Sequence, residues 1–101
     1  MKAMQIVSFD GPASGLRYQE APTPEPGPGQ IAVDVDHAGV GYVEALFTEG
    51  LVPIDLPWTP GLEVSGRVRA LGDGVDGYRA GDAVVALTIT GGGGYGQVAV
   101  A

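Results

Sequence analysis

The sequence contains no cysteine. That one absence removes disulfide frameworks, thiolate metal sites and thiol nucleophiles together. Basic residues are few: 5 Lys and Arg stand against 12 Asp and Glu, for a formal net charge of −7. A surface of that sign repels phosphate backbones, so neither nucleic acid nor an anionic membrane is an expected partner. No apolar run reaches membrane-spanning length, and the opening MKAMQIVSFDG lacks the apolar segment of a signal peptide. The expectation is a soluble cytoplasmic protein. Histidine occurs once, at His37. A lone imidazole at a strand end reads as structural rather than as a metal ligand.

What the chain has in excess is glycine and proline, 18 and 8 of its 101 residues. The excess is not periodic and is interleaved with runs rich in Val, Ile and Leu, which argues for a turn-rich β domain rather than collagen or disorder. At this length a single domain with one core is expected over residues 1–101. Residues 3–9 read as a strand ended by Asp10-Gly11-Pro12, with residues 16–20 as its hairpin partner. Residues 21–29, APTPEPGPG, carry proline at every second position from Pro22 to Pro28. Such a tract is neither a helix nor a central strand, because each proline removes a donor and fixes φ. It reads as a connector, with a polyproline ligand for an SH3-type groove as the alternative.

Residues 30–38 alternate with period 2. Ile31, Val33 and Val35 fall on one face, and Ala32, Asp34 and Asp36 on the other. Residues 43–49, VEALFTE, form the single stretch of good helix formers without a breaker, ending at Gly50. A proline-punctuated loop with Trp58 covers residues 51–61, and alternation returns over residues 63–71. A Gly- and Asp-rich turn then leads to a strand at residues 83–90, a glycine cluster and a final QVAVA. Asp73, Asp76 and Asp82 lack the spacing of a calcium loop and serve the turn. Within the cluster, Gly91, Gly93 and Gly96 fit G-x-G-x-x-G. A dinucleotide fingerprint needs a helix opening on its last glycine, whereas QVAVA alternates as a strand does. The match reads as accidental.

The segment PGLEVSGRVRALGDGVDGYRAGDAVVAL, residues 60–87, resembles the signature region of the medium-chain dehydrogenase/reductase superfamily. AGVGYVEALFTEG, residues 38–50, resembles that superfamily's active-site helix region. LPWTPG and the terminal TITGGGGYGQVAVA look most like the zeta-crystallin type of quinone oxidoreductase. The resemblance implies a mainly β fold, a GroES-like distorted β-barrel with one short helix, lacking the Rossmann domain that follows it in the family. It also implies an NADPH-dependent parent that delivers hydride to a small-molecule quinone or enone, with the cofactor held mainly by that Rossmann domain. The domain is therefore expected to be one half of a two-domain reductase, inactive by itself. Two other readings are a stand-alone GroES-like binding or assembly module and the enoyl reductase region of a polyketide or fatty-acid synthase.

The resemblance further implies that no zinc is used. Gly41 stands where zinc-dependent relatives place a cysteine, and Leu62 where they place a histidine, and neither offers a donor atom. Many zinc-free members carry asparagine at the position of Gly41 and tyrosine at that of Leu46, while the acidic position is kept as Glu44. On this basis Gly41, Tyr42 and Glu44 face the cofactor, and Tyr42, Leu46, Trp58, Leu62 and Tyr95 line the substrate cleft. Tyr42 and Tyr95 either stack on a ring or sit as amphipathic residues of the rim, and Trp58 is either a cleft wall or a packing anchor. Glu44 and Glu63 do not read as an acid/base carboxylate pair. Residues 97–101 are expected to leave a strand edge through which chains self-associate.

Overall fold

The computed structural model describes residues 1–88 and 91–101. Eight elements follow in order: β1 (Lys2–Ile6), α1 (Pro12–Gly15), β2 (Leu16–Glu20), β3 (Ile31–Ala38), α2 (Tyr42–Thr48), β4 (Glu63–Leu71), β5 (Ala83–Leu87) and β6 (Val98–Val100). The fold is mainly β, as the turn-rich composition implies, with two differences from expectation. A second helix, α1, forms where proline occupies the first helical position, which its fixed φ suits. The strands also do not close into a barrel. β1 and β2 form an antiparallel pair, and β5-β4-β3-β6 form a separate four-stranded antiparallel sheet.

The join between the sheets is the segment just before β6. The Met4 N–H donates to the Tyr95 carbonyl, and the Gln97 N–H donates to the Lys2 carbonyl. From Gln97 onward the same stretch pairs with β3, so one short piece of chain is stitched to both sheets. This also fills the start of the edge expected to lie bare over residues 97–101. The Lys2 N–H donates to Gln97 Oε1 and the Val98 N–H to the Met1 sulfur.

The core lies on the inner face of the larger sheet, where Val33, Val64 and Ala99 are buried and Ile31, Val35, Ala38, Val84 and Ala86 pack around them. The strict alternation expected along β3 is broken. Its register against β4 shifts between Ala32 and Val33 and again between Val35 and His37, and Ala32 is buried together with Val33. An extra residue on one strand of a ladder reverses the faces beyond it. His37 consequently lies exposed near the end of β3, opposite Ser65. At the centre of the sheet β4 comes close to β3 through Gly66, where a Cβ would fall on the Asp34 carbonyl oxygen.

The strand expected over residues 83–90 is β5 as far as Leu87, and Ile89 and Thr90 lie outside the described residues. Residues 21–29 form neither helix nor strand, in keeping with a connector. Among the described residues no helix is long and apolar enough to cross a membrane.

Candidate functional site

The chain leaves β3 through Gly39-Val40-Gly41 and enters α2 at Tyr42. Gly41 precedes the helix in an extended conformation, and Glu44 in the first turn reaches back so that its Oε2 accepts the Gly41 N–H at 3.0 Å. This is half of a capping box: glycine has no side chain to return the bond. An acidic side chain in a first turn also meets the positive end of the helix dipole. The geometry therefore draws the Glu44 carboxylate inward, and the residue is only 7% exposed.

Above that carboxylate opens a cleft of about 430 Å³. Its walls are almost wholly carbon: Met4 from β1, Leu16 from β2, Ala38 from β3, Val40, and the buried Pro60. Ala45 and Thr48 of α2 complete the helical wall. Tyr95 closes the opposite side. Its N–H donates to the Pro60 carbonyl at 2.9 Å and its carbonyl accepts the Met4 N–H at 3.1 Å, so the ring is carried by backbone fixed on two sides. Burial pushes the Tyr95 phenol up, and the Glu44 charge adds to the shift. Thr48 is 1% exposed and its hydroxyl donates to the Ala45 carbonyl within the helix.

Of the residues expected at the site, Gly41, Glu44 and Tyr95 are brought onto this one cleft. The others lie elsewhere. Tyr42 is 78% exposed and is not part of the lining. Leu46 sits half-buried on α2, away from the lining, and its carbonyl accepts the Glu49 N–H. Leu62 is half-buried beside β4, where its carbonyl accepts the Thr88 N–H. Trp58 packs on Phe47 with ring centroids 4.9 Å apart, exchanges backbone hydrogen bonds with Ile6, and borders a different cavity of about 360 Å³. Sequence reading missed Met4, Leu16 and Pro60, which only the long-range pairings bring together. It also missed Thr48, for which a signal existed. Glu44, Ala45 and Thr48 are spaced so as to share one face of a helix.

The glycine cluster has a definite task in this wall. A phosphate cradle needs free backbone N–H groups. Here the Gly91 and Gly92 N–H groups both donate to the Thr88 carbonyl, Gly93 to Thr59, Gly94 to Gly61, Tyr95 to Pro60 and Gly96 to Gly93. Every donor of the segment is spent. The glycines are needed because two backbones touch: a Cβ on Gly61, which has φ +105°, would stand 2.6 Å from the Gly94 Cα. The cluster is a hydrogen-bonded clamp on residues 59–61, and it sets Tyr95 against the cleft. Among the described residues no group of three His, Cys, Asp or Glu side chains could hold a metal ion.

Comparison with known proteins bears on this arrangement. Residues 27–101 match the family model described as the alcohol dehydrogenase GroES-like domain. A chloroplastic quinone oxidoreductase of Triphysaria versicolor is 32% identical over the whole chain, which spans 32% of that protein's length. Among solved structures, a probable oxidoreductase from Mycobacterium abscessus superposes on all of the chain with a TM-score of 0.87 and 38% identity, with 32% of its own length covered. A mycobacterial protein determined in complex with NADPH superposes with a TM-score of 0.86 and 32% identity, covering all of this chain and 31% of its own. The chain thus spans about a third of the length of these relatives. The sequence match and the superposed backbone agree, and the chain belongs to the alcohol dehydrogenase GroES-like domain family.

Proposed function

We propose that this domain forms the substrate-side wall of an oxidoreductase site in which a quinone or an electron-poor alkene is reduced at the expense of NADPH, without zinc. The observation that carries the reading is the cleft beside α2, an apolar opening of about 430 Å³ with one carboxylate, Glu44, and one phenol, Tyr95, in its walls. That volume is in the range of small-molecule sites. Family membership and the quinone oxidoreductases among the relatives support the same assignment.

The residues present fit the ring end of a nicotinamide cofactor and not its phosphates. An apolar wall suits a flat ring, while the spent N–H groups of the glycine clamp leave a pyrophosphate no row of donors there. The phosphates would be held by a Rossmann domain, as in two-domain reductases. A bound nicotinamide supplies a hydride, and a proton from solvent completes the reduction. This chain's own part is to exclude water with Met4, Leu16 and Pro60, to hold Glu44 rigid through the Gly41 N–H, and to present the Tyr95 hydroxyl. Gly41 and Leu62 offer no metal-binding atom, which supports a zinc-independent mechanism.

Calorimetric titration tests the division of labour. The 101-residue chain is expected to bind NADPH no more tightly than about 1 mM, a binding free energy near −4 kcal/mol. Joined to a dinucleotide-binding domain, it is expected to support quinone-dependent NADPH oxidation that a zinc chelator leaves unchanged. Tight NADPH binding by the chain alone, or loss of activity on chelation, overturns the reading.

A further inference from the structure

Two facts about the cleft constrain what can enter it, whatever reaction follows. The first is charge. Of the side chains lining it, Glu44 alone is formally charged, it is 7% exposed, and no lysine, arginine or histidine joins it. The second is hydrogen-bonding capacity. The Gly41 N–H is already given to Glu44 and the Thr48 hydroxyl to Ala45, whereas the Tyr95 hydroxyl donates to no partner among the described residues. A wall of carbon with a negative charge and a single uncommitted side-chain donor disfavours an entering anion, because no cationic side chain on the wall offsets its loss of water. A neutral carbonyl compound meets apolar contact along its flanks and a donor for its oxygen.

We infer that the cleft is a charge filter: it takes flat, uncharged carbonyl compounds and rejects anionic compounds of the same shape, through the Glu44 carboxylate, with the Tyr95 hydroxyl donating to the carbonyl oxygen. The inference rests on the cleft being the substrate site of the proposed reductase and narrows the substrate to the neutral members of the quinone and enone class. Glu44 acts here as a specificity-determining residue and Tyr95 as the donor that orients the ligand. The phenol, raised by burial and by Glu44, keeps its proton and remains a donor through the neutral range.

The test uses 1,4-naphthoquinone and 1,4-naphthoquinone-2-sulfonate, which differ in one anionic group. Binding is read from NMR shifts of the Ala45 and Tyr95 amides in the 101-residue chain, at physiological salt so that distant surface charge is screened. The chain has no cysteine, so the quinones are not lost to thiol addition. The neutral quinone is expected to bind at least about tenfold more tightly than the sulfonate, the size of effect one nearby charge produces in a partly screened site. Glu44→Gln keeps an acceptor for the Gly41 N–H and removes the charge, and it is expected to bring the two ligands within about threefold. Glu25→Gln, which removes an exposed charge of the proline tract, is expected to leave the ratio as it was. Tyr95→Phe is expected to weaken the neutral quinone several-fold without closing the gap.

Equal affinity for the two ligands overturns the inference, as does a ratio that Glu44→Gln leaves intact, and so does failure of the neutral quinone to shift either amide. Neutral binding with the expected ratio, but no reduction when a cofactor-binding domain is supplied, sinks the reductase reading and leaves the filter standing.

Discussion

At the scale of single residues the site depends on one acid and one phenol placed in a wall that has almost nothing else polar. The Tyr95 phenol is raised chiefly by burial and secondarily by the Glu44 charge. Replacing Glu44 by Gln therefore removes only the smaller cause. The Tyr95 ionisation, followed by the NMR shift of its Cζ, is expected to move down toward the ordinary tyrosine value in Glu44→Gln without reaching it. An unchanged titration would mean that the carboxylate does not act on the phenol. The same shift fixes a sign for stability. In the unfolded chain the phenol ionises near the usual value of about 10, earlier than in the folded chain. Its contribution to stability is thus complete below that value and is lost as pH rises through the folded one. Sequence alone pointed to Glu44 and Tyr95 through the family resemblance. It could not distinguish Tyr95, whose backbone is bonded to Pro60 and Met4, from Tyr42, which the start of α2 turns out to solvent. Which way a side chain faces at a helix entrance is set by tertiary contacts that no local pattern records.

At the scale of elements, glycine content separates into positions the fold needs and positions it does not. Gly66 lies where β4 presses against the Asp34 carbonyl of β3, whereas Gly91 has ordinary φ and open space around its Cβ position. Gly66→Ala is expected to cost about 1–3 kcal/mol, the usual penalty of overpacking a well-filled contact. Gly91→Ala is expected to stay within about 0.5 kcal/mol of the parent, as surface substitutions generally do. Denaturant unfolding of the two variants checks both values, and equal costs would contradict this account of the sheet. Gly91 is the first glycine of the G-x-G-x-x-G match, so a neutral outcome there also bears on the clamp reading of that segment. The close approach at Gly66 was legible in the sequence as a glycine on the apolar phase of an alternating strand. The register shifts in β3 were not, because a bulge leaves its neighbours' hydrophobicity unchanged while moving them to the other face. The helix α1 was hidden in a short stretch whose Asp-Gly-Pro signals a turn equally well.

At the scale of the whole molecule, the order of strands and turns was readable from periodicity. The failure to close was not, since it depends on where residues 95–97 attach, far along the chain from β1. That topology decides where two molecules of this chain can meet. The edge at β6 is partly filled by the Met1 side chain and Lys2, leaving β5 as the barer edge of the four-stranded sheet. Hydrogen-bonded pairs of the β4–β5 ladder fall at Leu62 with Thr88 and at Val68 with Asp82. Antiparallel alternation then turns the N–H and C=O groups of Ala83, Val85 and Leu87 off the edge. The side chains of Val85 and Leu87 are 83% and 62% exposed. An apolar edge strand with unpaired backbone groups is a template for another strand. The 101-residue chain is therefore expected to self-associate through β5 rather than through residues 97–101, with a sedimentation coefficient that rises with concentration. Val85→Lys places a charge on that edge and is expected to hold the chain monomeric, with its circular dichroism unchanged. A wild-type chain that stays monomeric at high concentration sinks the expectation, and a Val85→Lys chain that associates as readily as wild type returns the contact to β6.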